Sequence, residues 1–217
     1  MVTVNNRYPL QLVSEMLDRV CEAKIFKKLV FRDAYNLIWS KEGDEYQKSF
    51  RMCYGQFHFL VMPFSLTNPP ATFQSHINDC LRPYSGDFAV FNLDHILVYS
   101  TNEKENEKHV RQVVHRLKEF GLYCQTEKCQ FNVSEVGFLG FVITPAGVSM
   151  ESDRISKIKD WLIPKSVRDN EVLLGLTNLQ RWLIRNKAHV TLPPTALLKK
   201  PEATPTGKTG APWVIWE

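Results

Sequence analysis

The residues FNLDHILVYS, at positions 91–100, narrow most what this chain can fold into. Phe88, Val90 and Phe91 lead into a short turn, and Ile96, Val98 and Tyr99 lead out of it. Apolar runs rich in β-branched and aromatic residues on both sides of a tight turn read as a buried hairpin. The turn itself is Asn92, Leu93, Asp94 and His95, which sets a carboxylate beside an imidazole at the tip. That pair is open to several readings: a metal site, an acid/base pair, or the remains of something else. The plain alternative for Asp94 is a carboxylate capping a turn, where Asp is a preferred residue. For His95 it is a structural or vestigial histidine, because no second His or Cys stands close by in sequence.

Around this hairpin the pattern alternates between helix and strand. Residues 8–23 carry Leu12, Met16, Leu17 and Val20 at a helical period, with Pro9 suited to a helix start. Residues 25–31 are β-prone, and 49–62 read as a hairpin turning near Gly55. PPATFQSHINDCLRP, 69–83, reads as a helix opened by prolines, which need no amide partner there. Asn102 to Phe120 reads as an amphipathic helix with Val110, Val113, Val114 and Leu117 on one face and Gly121 as its stop. Its Lys104, Lys108 and Arg111, interleaved with Glu103, Glu105 and Glu107, read as ordinary surface pairs. Short strands are expected near 122–143, turning around Pro145 to Gly147. Beyond residue 150 the pattern becomes helical, over Ser152–Trp161, Val167–Ile184 and Leu192–Lys200, before a Pro/Gly/Thr-rich tail. The expectation is an α+β part over 1–150, a small helical part over 151–200 and a tail over 201–217.

Composition excludes several classes. At 44% hydrophobic and 23% charged the chain is globular rather than disordered. No apolar run approaches the roughly 20 residues a membrane helix needs, so no membrane partner is expected. The start, MVTVNNRYPL, lacks the basic and apolar regions of a signal peptide. Five widely spaced cysteines with no CxxC indicate neither a disulfide framework nor a zinc knuckle. The chain therefore reads as reduced and intracellular, in cytoplasm or nucleus. Its net charge of +4 permits a nucleic-acid partner without implying one.

Several longer words line up in order: NRYPL, AKIFKKL, YGQFHFLVMPFSLTNPPATFQ, LDHILVYS, LKEFGLYCQTEKCQF, VGFLGFVITPAGV and LLGLTN. This series closely resembles the reverse transcriptase of Gypsy-class LTR retrotransposons, fungal elements above all, over essentially the whole chain. The resemblance implies a polymerase palm of antiparallel strands backed by helices, with partial fingers, followed by a small helical thumb. It also implies an RNA-directed DNA polymerase, a nucleotidyltransferase working with Mg²⁺ on an RNA or DNA primer–template. In that chemistry two ions about 3.5–4 Å apart activate the primer hydroxyl and stabilise the leaving group.

The family holds those ions with an Asp in a KLDL-type strand and two in a YxDD hairpin. Here the strand reads Lys28-Leu29-Val30-Phe31 and the hairpin Asn92-Leu93-Asp94-His95. Val30 and His95 stand where the family has Asp, and Asp94 alone keeps a carboxylate. Asp33, three residues on, is expected to point elsewhere. By the same resemblance Tyr35 falls at the gate beneath the nucleotide sugar, though it reads as easily as a core aromatic. Phe64 and Ser65 fall at nucleotide contacts, with Ser65 replacing a Gly. Phe138, Leu139 and Gly140 match the primer grip, although the two side chains read as β-core in any case. Arg181, Arg185 and Lys187 could meet phosphates, the plain alternative being a solvated face. The resemblance also implies finger strands ahead of NRYPL and connection and ribonuclease H segments after PWVIWE, so a truncated domain is expected. The resulting expectation is a reverse-transcriptase-like domain of a retrotransposon polyprotein, without productive Mg²⁺ binding and without polymerase activity. The alternatives are a non-catalytic nucleic-acid- or protein-binding module, or a remnant with no function. Exposed palm surface would also favour self-association.

Overall fold

The computed structural model describes residues 4–64, 66–161, 164, 166–178, 181, 183–184, 186–196 and 198. The chain divides into two units, Met1–Arg154 and Ile155–Glu217. The first runs α1 (Val13–Val20), β1 (Ile25–Val30), β2 (Ser49–Met52), β3 (Gly55–His58), α2 (Pro69–Leu81), β4 (Ala89–Asn92), β5 (His95–Ser100), α3 (Glu103–Glu119), β6 (Gln130–Val133), β7 (Val136–Phe138), β8 (Phe141–Thr144) and β9 (Gly147–Met150). Helix α4 (Ser152–Lys159) crosses the division, and α5 (Val167–Asn178), α6 (Lys187–Val190) and α7 (Leu192–Ala196) belong to the second unit.

The central sheet has the order β4-β5-β1-β6, with β1 antiparallel to both its neighbours. Strands β4 and β5 are buried on both faces, as their unbroken apolar runs require. Residues paired directly across strands share a face, so Leu29, Ile96 and Phe91 form one row. That row joins Phe73, Ile77 and Leu81 of α2 and Val110, Val113 and Leu117 of α3 in a single core. Phe73 meets Phe31 edge-on, with centroids 5.5 Å apart. Helix α3 begins where the Asn102 side chain accepts from the Glu105 amide at 2.9 Å. It ends before Gly121, whose φ of +67° a side chain would disfavour. Glu107 pairs with Arg111 at 2.7 Å on its exposed face, the surface pairing expected.

Several elements depart from the periodicity. The first helix is shorter than 8–23, because residues 8–12 form no helix and Leu12, with extended backbone, is the residue before it. Residues 122–129 hold a 3-10 turn and a single bridge, Phe31 to Cys124, in place of a strand. Strand β9, absent from the expected set, closes the three-stranded sheet β7-β8-β9. In the second unit, α5 is described over Val167–Asn178 and α7 over Leu192–Ala196, and Arg181, Leu183, Ile184 and Leu198 are not helical. The tail 201–217 lies outside the described residues.

The hairpin β2–β3 stands apart as its own two-stranded sheet. Alternation sets Phe50, Met52 and Phe57 on one face and Ser49, Arg51, Gln56 and His58 on the other, and all are exposed. None of the described helices is long and apolar enough to cross a membrane.

Candidate active site

The register of the central sheet builds the site. Val30 pairs with His95, and His95 pairs with Asn92, so the three side chains form one row across three strands. This row lies on the face opposite the Leu29–Ile96–Phe91 row. Lys28, two residues before Val30 on β1, shares its face and donates to the Gly137 carbonyl at 2.7 Å. That bond ties β7 to the strand that carries Val30.

Leu93 and Asp94 form the two-residue loop between β4 and β5. Leu93 has φ +49°, a conformation unfavourable for a residue with a side chain. Two hydrogen bonds hold it. The Leu93 amide donates to Gln74 Oε1 at 2.8 Å, and the Phe31 amide donates to the Asp94 carbonyl at 2.9 Å. Gln74 is fully buried on α2, and its Nε2 donates to Asn78 Oδ1 at 2.9 Å. Asn78 Nδ2 in turn donates to the Tyr8 hydroxyl at 2.6 Å. A polar chain thus runs from the N-terminal segment through α2 to the hairpin tip. Sequence reasoning missed it. Its signal was a glutamine flanking the Phe73–Ile77 core stripe, where a polar side chain needs a partner.

Asp94 is 48% exposed and His95 31% exposed at their side chains. His95 Nδ1 donates to Asp94 Oδ1 at 2.9 Å. This bond is the leading cause that holds the Asp94 carboxyl below its ordinary range, against the opposing effect of partial burial. The charge of Lys28 adds a smaller lowering. Tyr35 lies in a 3-10 turn, Ala34–Leu37, with its ring edge-on to Phe64 at 5.0 Å and to Phe73 at 5.6 Å. Burial raises the Tyr35 hydroxyl, and the Asp94 carboxylate raises it further, which brings Tyr35 into the neighbourhood of the hairpin.

The structure therefore gathers Val30, Asp94, His95, Tyr35 and Phe64. Ser65 lies outside the described residues. Asp33 has φ +48°, is 65% exposed at its side chain and meets Arg32 at 3.7 Å. Phe138, Leu139 and Gly140 form the β7–β8 turn, with Phe138 fully buried and paired with Phe141. Of the basic residues, Arg181 is exposed, Arg185 lies outside the described residues, and Lys187 is buried, donating to Asn178 Oδ1. The Lys187 ammonium is thus engaged inside its own unit rather than offered to solvent. Among the described residues no cluster of three or more His, Cys, Asp or Glu could hold a metal ion.

A family model described as reverse transcriptase (RNA-dependent DNA polymerase) matches residues 3–143. The chain belongs to the reverse transcriptase family. Transposon Tf2-3 and Tf2-4 polyproteins of Schizosaccharomyces pombe are each 36% identical to it over 195 residues. This match places it with the reverse transcriptase domains of fungal LTR retrotransposons. The aligned region covers 90% of this reverse transcriptase chain but 15% of those relatives. Solved structures share the fold. A foamy viral protease-reverse transcriptase in complex with RNA/DNA hybrid aligns with a TM-score of 0.76 at 22% identity, covering 90% of this chain and 26% of its own. One in complex with double-stranded DNA aligns at 0.78 and 22% identity, covering 91% and 34%.

Proposed function

We propose that this reverse transcriptase domain holds a primer–template but does not itself catalyse Mg²⁺-dependent nucleotide addition. The observation that carries this is the direct pairing of Val30 with His95 beside Asp94. Two-ion catalysis needs several hard oxygen donors around both metals. The row and the loop beside it offer valine methyls, an imidazole better suited to zinc or iron, and one carboxylate already accepting from that imidazole. One carboxylate cannot bridge two divalent ions and offset their dehydration, so the residues present do not fit Mg²⁺. Primer–template binding is supported by the family and by the neighbours seen with RNA/DNA hybrid and double-stranded DNA. Tyr35 and Phe64 then form an aromatic surface for a nucleotide, and the 138–140 turn a backbone rest for the primer end. Self-association through exposed apolar surface such as Phe50, Met52 and Phe57 belongs to the same reading.

The test is primer extension with purified protein, deoxynucleotides and Mg²⁺. No product above that of Asp94→Asn is expected. Robust extension that Asp94→Asn abolishes would contradict the reading.

A further inference from the structure

Gly140 is the second residue of the β7–β8 turn and has φ +83°. A Cβ at this position would collide with Cζ, Nε and Nη2 of Arg154. The guanidinium therefore fills the space that any other residue's side chain would take. Its second neighbour is the Phe141 ring, whose centroid lies 5.9 Å from Cζ. The backbone delivers it there. The Glu151 amide donates to the Gly140 carbonyl at 3.3 Å, and the Arg154 amide donates to the Glu151 carbonyl at 3.0 Å. The arginine is only partly exposed, yet among the described residues its guanidinium makes no ion pair and no hydrogen bond. The Glu151 carboxylate, which could have served it, lies against Gly137 instead.

A guanidinium carries five N–H donors in a planar fork and stays charged at any ordinary pH. Holding it half-buried without an acceptor is unfavourable unless an acceptor arrives with a ligand. The group whose geometry matches the fork is a carboxylate or a phosphate. Lys28 also reaches this strand pair, through its bond to the Gly137 carbonyl. A nucleic-acid strand resting on that turn would bring a phosphodiester to the guanidinium.

We infer that Arg154 binds a backbone phosphate of the nucleic-acid strand seated on the 138–140 turn, its guanidinium lying in the space that Gly140 leaves open. This rests on the primer–template reading above. It needs no catalytic activity, only binding.

The experiment is anisotropy binding of a fluorescent primer–template duplex across a salt series, with melting curves to confirm that each variant is folded. Arg154→Gln should bind about tenfold more weakly. Its log–log salt slope should be shallower by about 0.9, the loss of a single phosphate contact. Arg154→Lys should recover the slope and only part of the affinity, because an ammonium lacks the fork. Wild-type affinity and slope in Arg154→Gln would overturn this inference and leave the primer–template reading intact. A wild-type slope near zero would overturn both.

Discussion

At Asp94, opposing influences meet on a single carboxyl. The hydrogen bond from His95 lowers its proton affinity most, partial burial raises it, and the charges of His95 and Lys28 lower it again. The net direction is downward. A carboxyl whose folded value lies below its unfolded value of about 3.9 contributes stability at pH values above that unfolded value. The contribution is lost as pH falls through the folded value. Removing the imidazole should therefore move Asp94 upward and flatten the acid limb of the stability curve. Side-chain carbon NMR titration of wild type and His95→Ala reads this directly. Titration of wild-type Asp94 at or above the ordinary carboxylate value would show that burial outweighs the histidine. The result also separates two uses of the same atoms: a carboxylate engaged by its neighbour is a poorer ligand for an incoming cation.

Two-residue turns decide how the elements present these side chains. The β7–β8 turn has positive φ at both Leu139 (+52°) and Gly140 (+83°), the pattern of a type I′ turn. Asn-Gly is its preferred pair, so leucine at the first position carries strain. Leu139→Asn should raise stability by about 0.5–1 kcal/mol in urea unfolding. An unchanged or lowered midpoint would show that the leucine side chain packs well enough to offset its backbone. The elements themselves were legible in sequence wherever burial imposes a period: the β4–β5 runs, the Val110–Val113–Leu117 stripe of α3 and the proline-opened α2 all formed. Strand β9 was not, because Gly147–Met150 carries little apolar pattern and takes its register from β8. The run from Val167 to Ile184 reads as continuous by composition, but Arg181, Leu183 and Ile184 are not helical and Asn186 begins the next turn with φ +54°. At the site, the sequence singled out Val30 and His95 only through the resemblance, while their direct pairing comes from strand register. Gln74 and Arg154 were not legible, since a single polar residue beside a core stripe and a single arginine in the first turn of a helix look ordinary until their surroundings are known.

For the molecule as a whole, the fold and the chemistry separate. The foamy viral structures share the architecture at 22% identity, which the buried rows of β1, β4, β5, α2 and α3 suffice to preserve. Val30 and His95 pair on the opposite face of the sheet from the Leu29–Ile96–Phe91 row and stand outside that core, so packing of the core does not depend on which residues occupy them. We propose that this end of the palm does not gather divalent cations. The most direct measurement is Mn²⁺ titration followed by paramagnetic broadening of the backbone amides of Leu93 to Ile96. Wild type should show no saturable broadening there, whereas the double variant Val30→Asp/His95→Asp should. Saturable broadening of the wild-type hairpin that disappears in Asp94→Asn would contradict the account.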